Sequence, residues 1–96
     1  MSESETIAMR LRIEGFVQAV GYRNFAIAEA TRLCIDGWIR NRADGTVEAL
    51  ACGERKAVEA FVAACMKGPP GSRVKSVDLH DSEATTEKGF RRRSSL

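Results

Sequence analysis

The sequence has little with which to build a metal centre or a disulfide framework. It contains a single histidine, His80, and three cysteines, Cys34, Cys52 and Cys65, an odd number spread well apart. Such spacing suits neither cross-links nor a zinc site, so the thiols read as small buried hydrophobes and His80 as a solitary surface side chain. No metal and no cofactor are expected. Long apolar runs are lacking as well, and the opening "MSESETIAMR" is polar and acidic where a secretory signal needs a basic start and an apolar block. The expectation is a cytoplasmic protein that neither spans nor binds a membrane. Charge of one sign is also missing: 15 basic residues face 13 acidic ones, a near balance that does not mark a nucleic-acid partner. The small basic excess gathers partly in "RRR" at 91–93.

What is present suffices for one core. Ninety-six residues with 44% hydrophobic content fit a single domain, 1–96, with 1–5 and 91–96 expected to be flexible and a monomer the default at this size. In residues 7–13, Ile7, Met9, Leu11 and Ile13 alternate with polar or small neighbours, the period of a strand with one buried face. From Tyr22 the recurrence changes to Ala26, Ala30 and Leu33, which predicts a helix over 22–33. Two short apolar runs, 37–40 and 46–52, flank "NRADG" and read as a hairpin. Val58, Phe61, Val62, Cys65 and Met66 fall on one side of a second helix, which "GPPG" at 68–71 terminates. A strand over 74–79 and a weak one over 90–92 complete the chain.

The order β, α, β, β, α, β with a short extra strand is the split βαβ pattern of a ferredoxin-like α+β fold. Two helices should cover one face of an antiparallel four- to five-stranded sheet. Many activities use that architecture, so function must come from a site.

The segment between the first strand and the first helix, "GFVQAVGYR" at 15–23, offers one. A glycine-bounded turn that opens a helix gathers backbone N–H donors at the positive end of the helix dipole, and Arg23 adds a planar fork of donors for an anion. A nucleotide P-loop needs four residues between its glycines and then Lys and Ser or Thr, whereas five separate Gly15 from Gly21 and Tyr22 and Arg23 follow. Cysteine phosphatases carry their nucleophile six residues ahead of the phosphate-binding arginine, and that position here is Val17. With no covalent nucleophile in the loop, water must attack phosphorus directly. An alkoxide leaves poorly from so sparse a site, but a carboxylate leaves as it stands, which points to an acyl phosphate.

"GFVQAVGYR" resembles the acylphosphatase signature G-x-V-Q-G-V-G-(F/Y)-R. "GWIRNRADGTVE" at 37–48 resembles the family's second signature, G-(F/Y/W)-(V/I)-x-N-x-x-D-G-x-V-E, and "GPPGSRV" sits where the family has a similar turn. The resemblance spans about 11–79. It implies a small ferredoxin-like enzyme that hydrolyses a small-molecule acyl phosphate to a carboxylate and phosphate without a metal. Carried over, it makes Arg23 the phosphate-binding residue and Asn41 the residue that orients the attacking water. The backbone of Gly15, Phe16, Val17, Gln18, Ala19, Val20 and Gly21 becomes the phosphate cradle, which Gln18 helps to shape. Two departures stand out. Ala19 replaces a family glycine, which costs on the order of 1 kcal/mol if a positive φ is required there. The ending "GFRRRSSL" keeps only Phe90 of the family's alternating last strand, so a short edge strand and a mobile basic tail are expected.

Rival readings fare worse. An RNA-binding sheet needs aromatics on its first and third strands, and residues 7–13 and 46–52 contain none. A metal chaperone of this fold needs C-x-x-C. An inactive relative finds support only in Ala19. "RRRSSL" resembles a basophilic kinase site, but so short a run reads first as a solvated tail.

Overall fold

The computed structural model describes residues 5–95. The alternating segment forms β1 (Thr6–Phe16), which buries Leu11 and Ile13 completely and turns Arg10, Arg12 and Glu14 to the surface. There follow α1 (Tyr22–Arg32), β2 (Asp36–Asn41), β3 (Val47–Glu54), α2 (Arg55–Lys67), β4 (Arg73–Asp81) and β5 (Phe90–Arg92). The element order matches expectation, and the main displacement is at the end of β1. That strand continues through Gly15 and Phe16, so the first two residues of "GFVQAVGYR" are paired backbone rather than loop.

The sheet order is β4-β1-β3-β2-β5. Neighbours among the first four strands are antiparallel, but β5 lies parallel to β2, with Gly37 opposite Phe90. The sheet is therefore mixed, where an antiparallel one was expected. Side-chain alternation marks a strand without giving its direction. Direction is set by the connection after β4, which crosses one end of the sheet: Ser82 N donates to Ala8 O of β1, Thr85 N to Cys52 Sγ of β3 and Gly89 N to Asp36 Oδ1 beside β5. A chain led across that end must re-enter alongside β2 and parallel to it.

Both helices cover one face. Tyr22, Ala26 and Ala30 of α1 and Val58, Phe61 and Cys65 of α2 join Leu11, Ile13, Ile39 and Val47 in a single core. The Tyr22 hydroxyl donates to the Cys65 carbonyl at 2.6 Å, tying the start of α1 to α2. Burial pushes that phenol above its ordinary pKa and raises the Cys65 thiol to about 12. Cys52 is buried too, but Cys34 is exposed in the turn after α1, at φ 58°. The reading of all three thiols as buried thus fails at Cys34, where a left-handed turn carries the side chain outward. The opposite face holds Trp38 and Leu50, with the Arg40 and Arg93 guanidinium groups 5.0 and 4.8 Å from the Trp38 ring. Of the segments expected to be flexible, Glu5 pairs with Arg55 at 2.9 Å, Arg91 and Arg92 belong to β5, and residues 1–4 and 96 lie outside the described residues. No described helix is long and apolar enough to cross a membrane.

Candidate active site

At the end of β1 the register against β4 shifts between Glu14 and Gly15. Gly15 sits at φ 132°, and a Cβ there would lie 2.1 Å from the Arg73 carbonyl oxygen, so only glycine lets the two strands close at this point. The chain then leaves the sheet. Val17 plugs into the core and Val20 packs against it, while Ala19 and Gly21 take left-handed conformations at φ 63° and 77°. Two left-handed residues within three positions curl the backbone into a concavity of the kind that binds anions. Among the described residues, no acceptor takes the N–H groups of Gln18, Ala19, Val20 or Gly21. Gly21 caps α1 without a side-chain hydrogen bond, and no acidic residue occupies that helix's first turn, so its N-terminal donors and dipole also face outward unopposed.

Gln18 joins this loop to the β2–β3 hairpin. Its amide nitrogen donates to the carbonyls of Arg42 and Thr46, each at 2.8 Å, which fixes the loop against the end of β2. The hairpin itself is held by Asp44, which accepts from Thr46 Oγ1 at 2.6 Å and Thr46 N at 3.0 Å. Those bonds hold the Asp44 carboxyl below its usual pKa range. Behind the hairpin Glu48, only 6% exposed, accepts from Arg10, Arg40 and Arg42 at 3.1, 2.9 and 3.1 Å. Burial works to raise its pKa, but the guanidinium groups outweigh burial and leave it lowered.

The rigid hairpin presents Asn41, the last residue of β2, to the concavity. Asn41 Oδ1 is buried and has no hydrogen-bond partner, a costly condition for an amide oxygen unless something donates to it. Asn41, Arg23, Ala19, Gly21, Asn24 and Arg92 line one cleft of about 280 Å³, with Val17 and Tyr22 at its base and no carboxylate in its wall. Gly15, Phe16, Gln18 and Val20 do not line it. Gly15 and Phe16 are paired with Val74 and Arg73 of β4, and Gln18 reaches the hairpin instead. The cleft can therefore grip a small oxyanion through backbone donors and guanidinium groups while Asn41 receives a hydrogen from a neighbouring donor. Among the described residues, no three His, Cys, Asp or Glu side chains gather to hold a metal ion.

Arg92 and Asn24 are absent from the set of site residues expected from sequence, which reads 90–92 only as a weak edge strand and 91–96 as flexible. The signal was available in the alternation of β5. Phe90 faces the helices, its ring 5.4 Å from that of Phe61, and the residue two places on must face the same way.

The acylphosphatase family model matches residues 9–92. An acylphosphatase of Acidovorax sp. is 44% identical over 97 aligned positions that cover the whole of both chains. The structure of an acylphosphatase from Coxiella burnetii superposes with a TM-score of 0.89 at 28% identity, over 97% of this chain and 100% of that one. That of an acylphosphatase from Bacillus subtilis superposes with a TM-score of 0.84 at 36% identity, over 88% and 96%. With residues of both signatures lining one cleft, and with full-length likeness in sequence and structure, the chain belongs to the acylphosphatase family.

Proposed function

We propose that this enzyme hydrolyses the carboxyl–phosphate bond of acyl phosphates by direct attack of a water held by Asn41, with no covalent intermediate and no metal. The observation that carries the reading is the unpartnered Oδ1 of Asn41, a residue that lines the same cleft as Arg23, Ala19 and Gly21, beside a loop whose N–H groups at 18–21 meet no acceptor among the described residues. The phosphoryl group sits in the loop, its oxygens receiving hydrogen bonds from the backbone and from Arg23. A water donates one hydrogen to Asn41 Oδ1, which turns its lone pair toward phosphorus. As the new P–O bond forms, the bond to the acyl oxygen breaks and its electron pair leaves on the carboxylate. The protons of the water pass to phosphate and solvent. The departing carboxylate is a weak base and needs neither a general acid nor a Lewis acid. A sugar or alcohol oxygen would, which restricts the substrate class.

Benzoyl phosphate should be turned over in the presence of excess chelator, while a phosphate monoester should not. Abolition of turnover by the chelator would overturn the metal-free mechanism. Arg23→Ala and Asn41→Ala should each lower the rate at least about a hundredfold, equivalent to roughly 2.7 kcal/mol of transition-state stabilisation. Normal turnover by Asn41→Ala would remove that residue from the mechanism. Three free thiols, one of them exposed, suit a reducing compartment. We accordingly place the enzyme in the cytoplasm, as a monomer acting on a small molecule rather than on nucleic acid.

A further inference from the structure

We propose that Arg92 is a second substrate-binding residue of this cleft, a guanidinium delivered by the C-terminal strand to the anionic oxygens of the substrate and aimed by Asn24. The proposal rests on the functional reading above for the identity of the anion. Its geometry stands by itself.

Arg92 is brought to the cleft by constraints from three sides. Its backbone is in register with Ile39 of β2, and the following residue's N–H donates to the Ile39 carbonyl at 2.8 Å, so the strand cannot slide. Two residues earlier, Phe90 anchors the same face of the strand against Phe61. At the far end of the side chain, Arg92 Nη2 donates to Asn24 Oδ1 in the first turn of α1. That bond occupies one donor of a group that has five, and the guanidinium lines the cleft beside Arg23 and Asn41. Asn24 is neutral, so the bond steers Arg92 without cancelling its charge. No carboxylate lines the cleft to cancel it either.

Two guanidinium groups on one cleft of about 280 Å³ repel each other when it is empty. A ligand that carries a single charge needs only one of them. A phosphoryl group close to a dianion, attached to a carboxyl that becomes anionic as it leaves, can engage both. Arg91 provides the internal comparison. It is the adjacent arginine and carries the same charge, but it is in register with Trp38 and points to the opposite face of the sheet.

Inorganic phosphate, the product, is the probe. Its affinity can be measured by calorimetry without turnover and by competition with benzoyl phosphate. Arg92→Gln should weaken phosphate binding and raise KM about tenfold, with kcat changed less than about threefold. Arg92→Lys should retain part of the affinity, Asn24→Ala should lose less than Arg92→Gln, and Arg91→Gln should match the parent. Unchanged phosphate affinity in Arg92→Gln would overturn the proposal, as would an equal loss in Arg91→Gln, which would reveal only a diffuse charge effect. Should Arg92→Gln melt well below the parent, Arg92→Lys decides, because it keeps the charge and the stem but loses the fork; full retention of phosphate affinity by that variant with loss only of stability would also count against the proposal. If the parent binds phosphate through Arg92 yet does not hydrolyse benzoyl phosphate, the functional reading fails and this one survives.

Discussion

Ala19 holds its methyl group in a left-handed conformation, φ 63°, at the exposed tip of the loop that faces the cleft. An alanine there costs roughly 1–2 kcal/mol that a glycine does not, part of it offset because glycine loses more entropy on folding. Strain of this kind persists only where surroundings hold it, here by Gln18 on one side and the start of α1 on the other. Replacing Ala19 by Gly should therefore raise stability by about 0.5–1 kcal/mol, a shift of a few degrees in Tm, and leave turnover at least equal to the parent's. A lower denaturant midpoint in that variant would show that the loop tolerates alanine without strain. The position was conspicuous in sequence because it departs from a pattern of glycines, but only the dihedral angle reveals that the departure has a cost. Asn41 illustrates the complementary case. Its identity and place before a turn were plain, whereas its unpaired oxygen depends on everything packed around it.

The elements that carry the site are joined by two devices, the bulge at Gly15 and the Gln18 bridge. Gly15 reads in sequence as the first residue of a phosphate cradle, yet its backbone pairs with Val74, and the atom it lacks would strike the Arg73 carbonyl. Gly15→Ala should consequently destabilise the protein by at least about 3 kcal/mol, through both the dihedral penalty and the separation of β1 from β4. Chemical denaturation checks this, and a variant as stable as the parent would return Gly15 to a purely ligand-facing role. Strand β5 makes the opposite point. Three residues with one hydrophobic anchor gave only a weak sequence signal, because most of what stabilises the strand is pairing with β2 and the stacking of Phe90 on Phe61. Neither contact can be read from local pattern.

Across the whole molecule, one buried carboxylate organises the outer sheet face. Glu48 pairs with Arg10, Arg40 and Arg42, from β1, β2 and the hairpin turn, and offsets part of their charge. Its pKa in the folded protein lies below its ordinary value of 4.5. The stability it contributes is thus fully present above the unfolded value and is lost as pH falls through the folded one. Denaturant midpoints should stay nearly level from neutral pH down to about 5 and fall below about 4.5. Glu48→Gln should be less stable at neutral pH, by about 1–3 kcal/mol, with a shallower decline in acid. An acid limb identical to the parent's would assign the decline to other carboxylates.

The sequence by itself determined the strands and helices through the periods of their apolar residues, and its two short motifs, by their resemblance to the family's signatures, singled out Arg23 and Asn41 for the proposed chemistry. It also excluded a cysteine nucleophile, at Val17. All of these are local matters, decided within one or two turns of chain. Only the tertiary structure decided that β5 runs parallel to β2, that Gly15 belongs to the sheet and that Arg92 reaches Asn24 across 68 positions of sequence. Those outcomes depend on strand order and on where the last connection crosses the sheet. Such contacts are made by the packing of whole elements, whose relative placement no local period records.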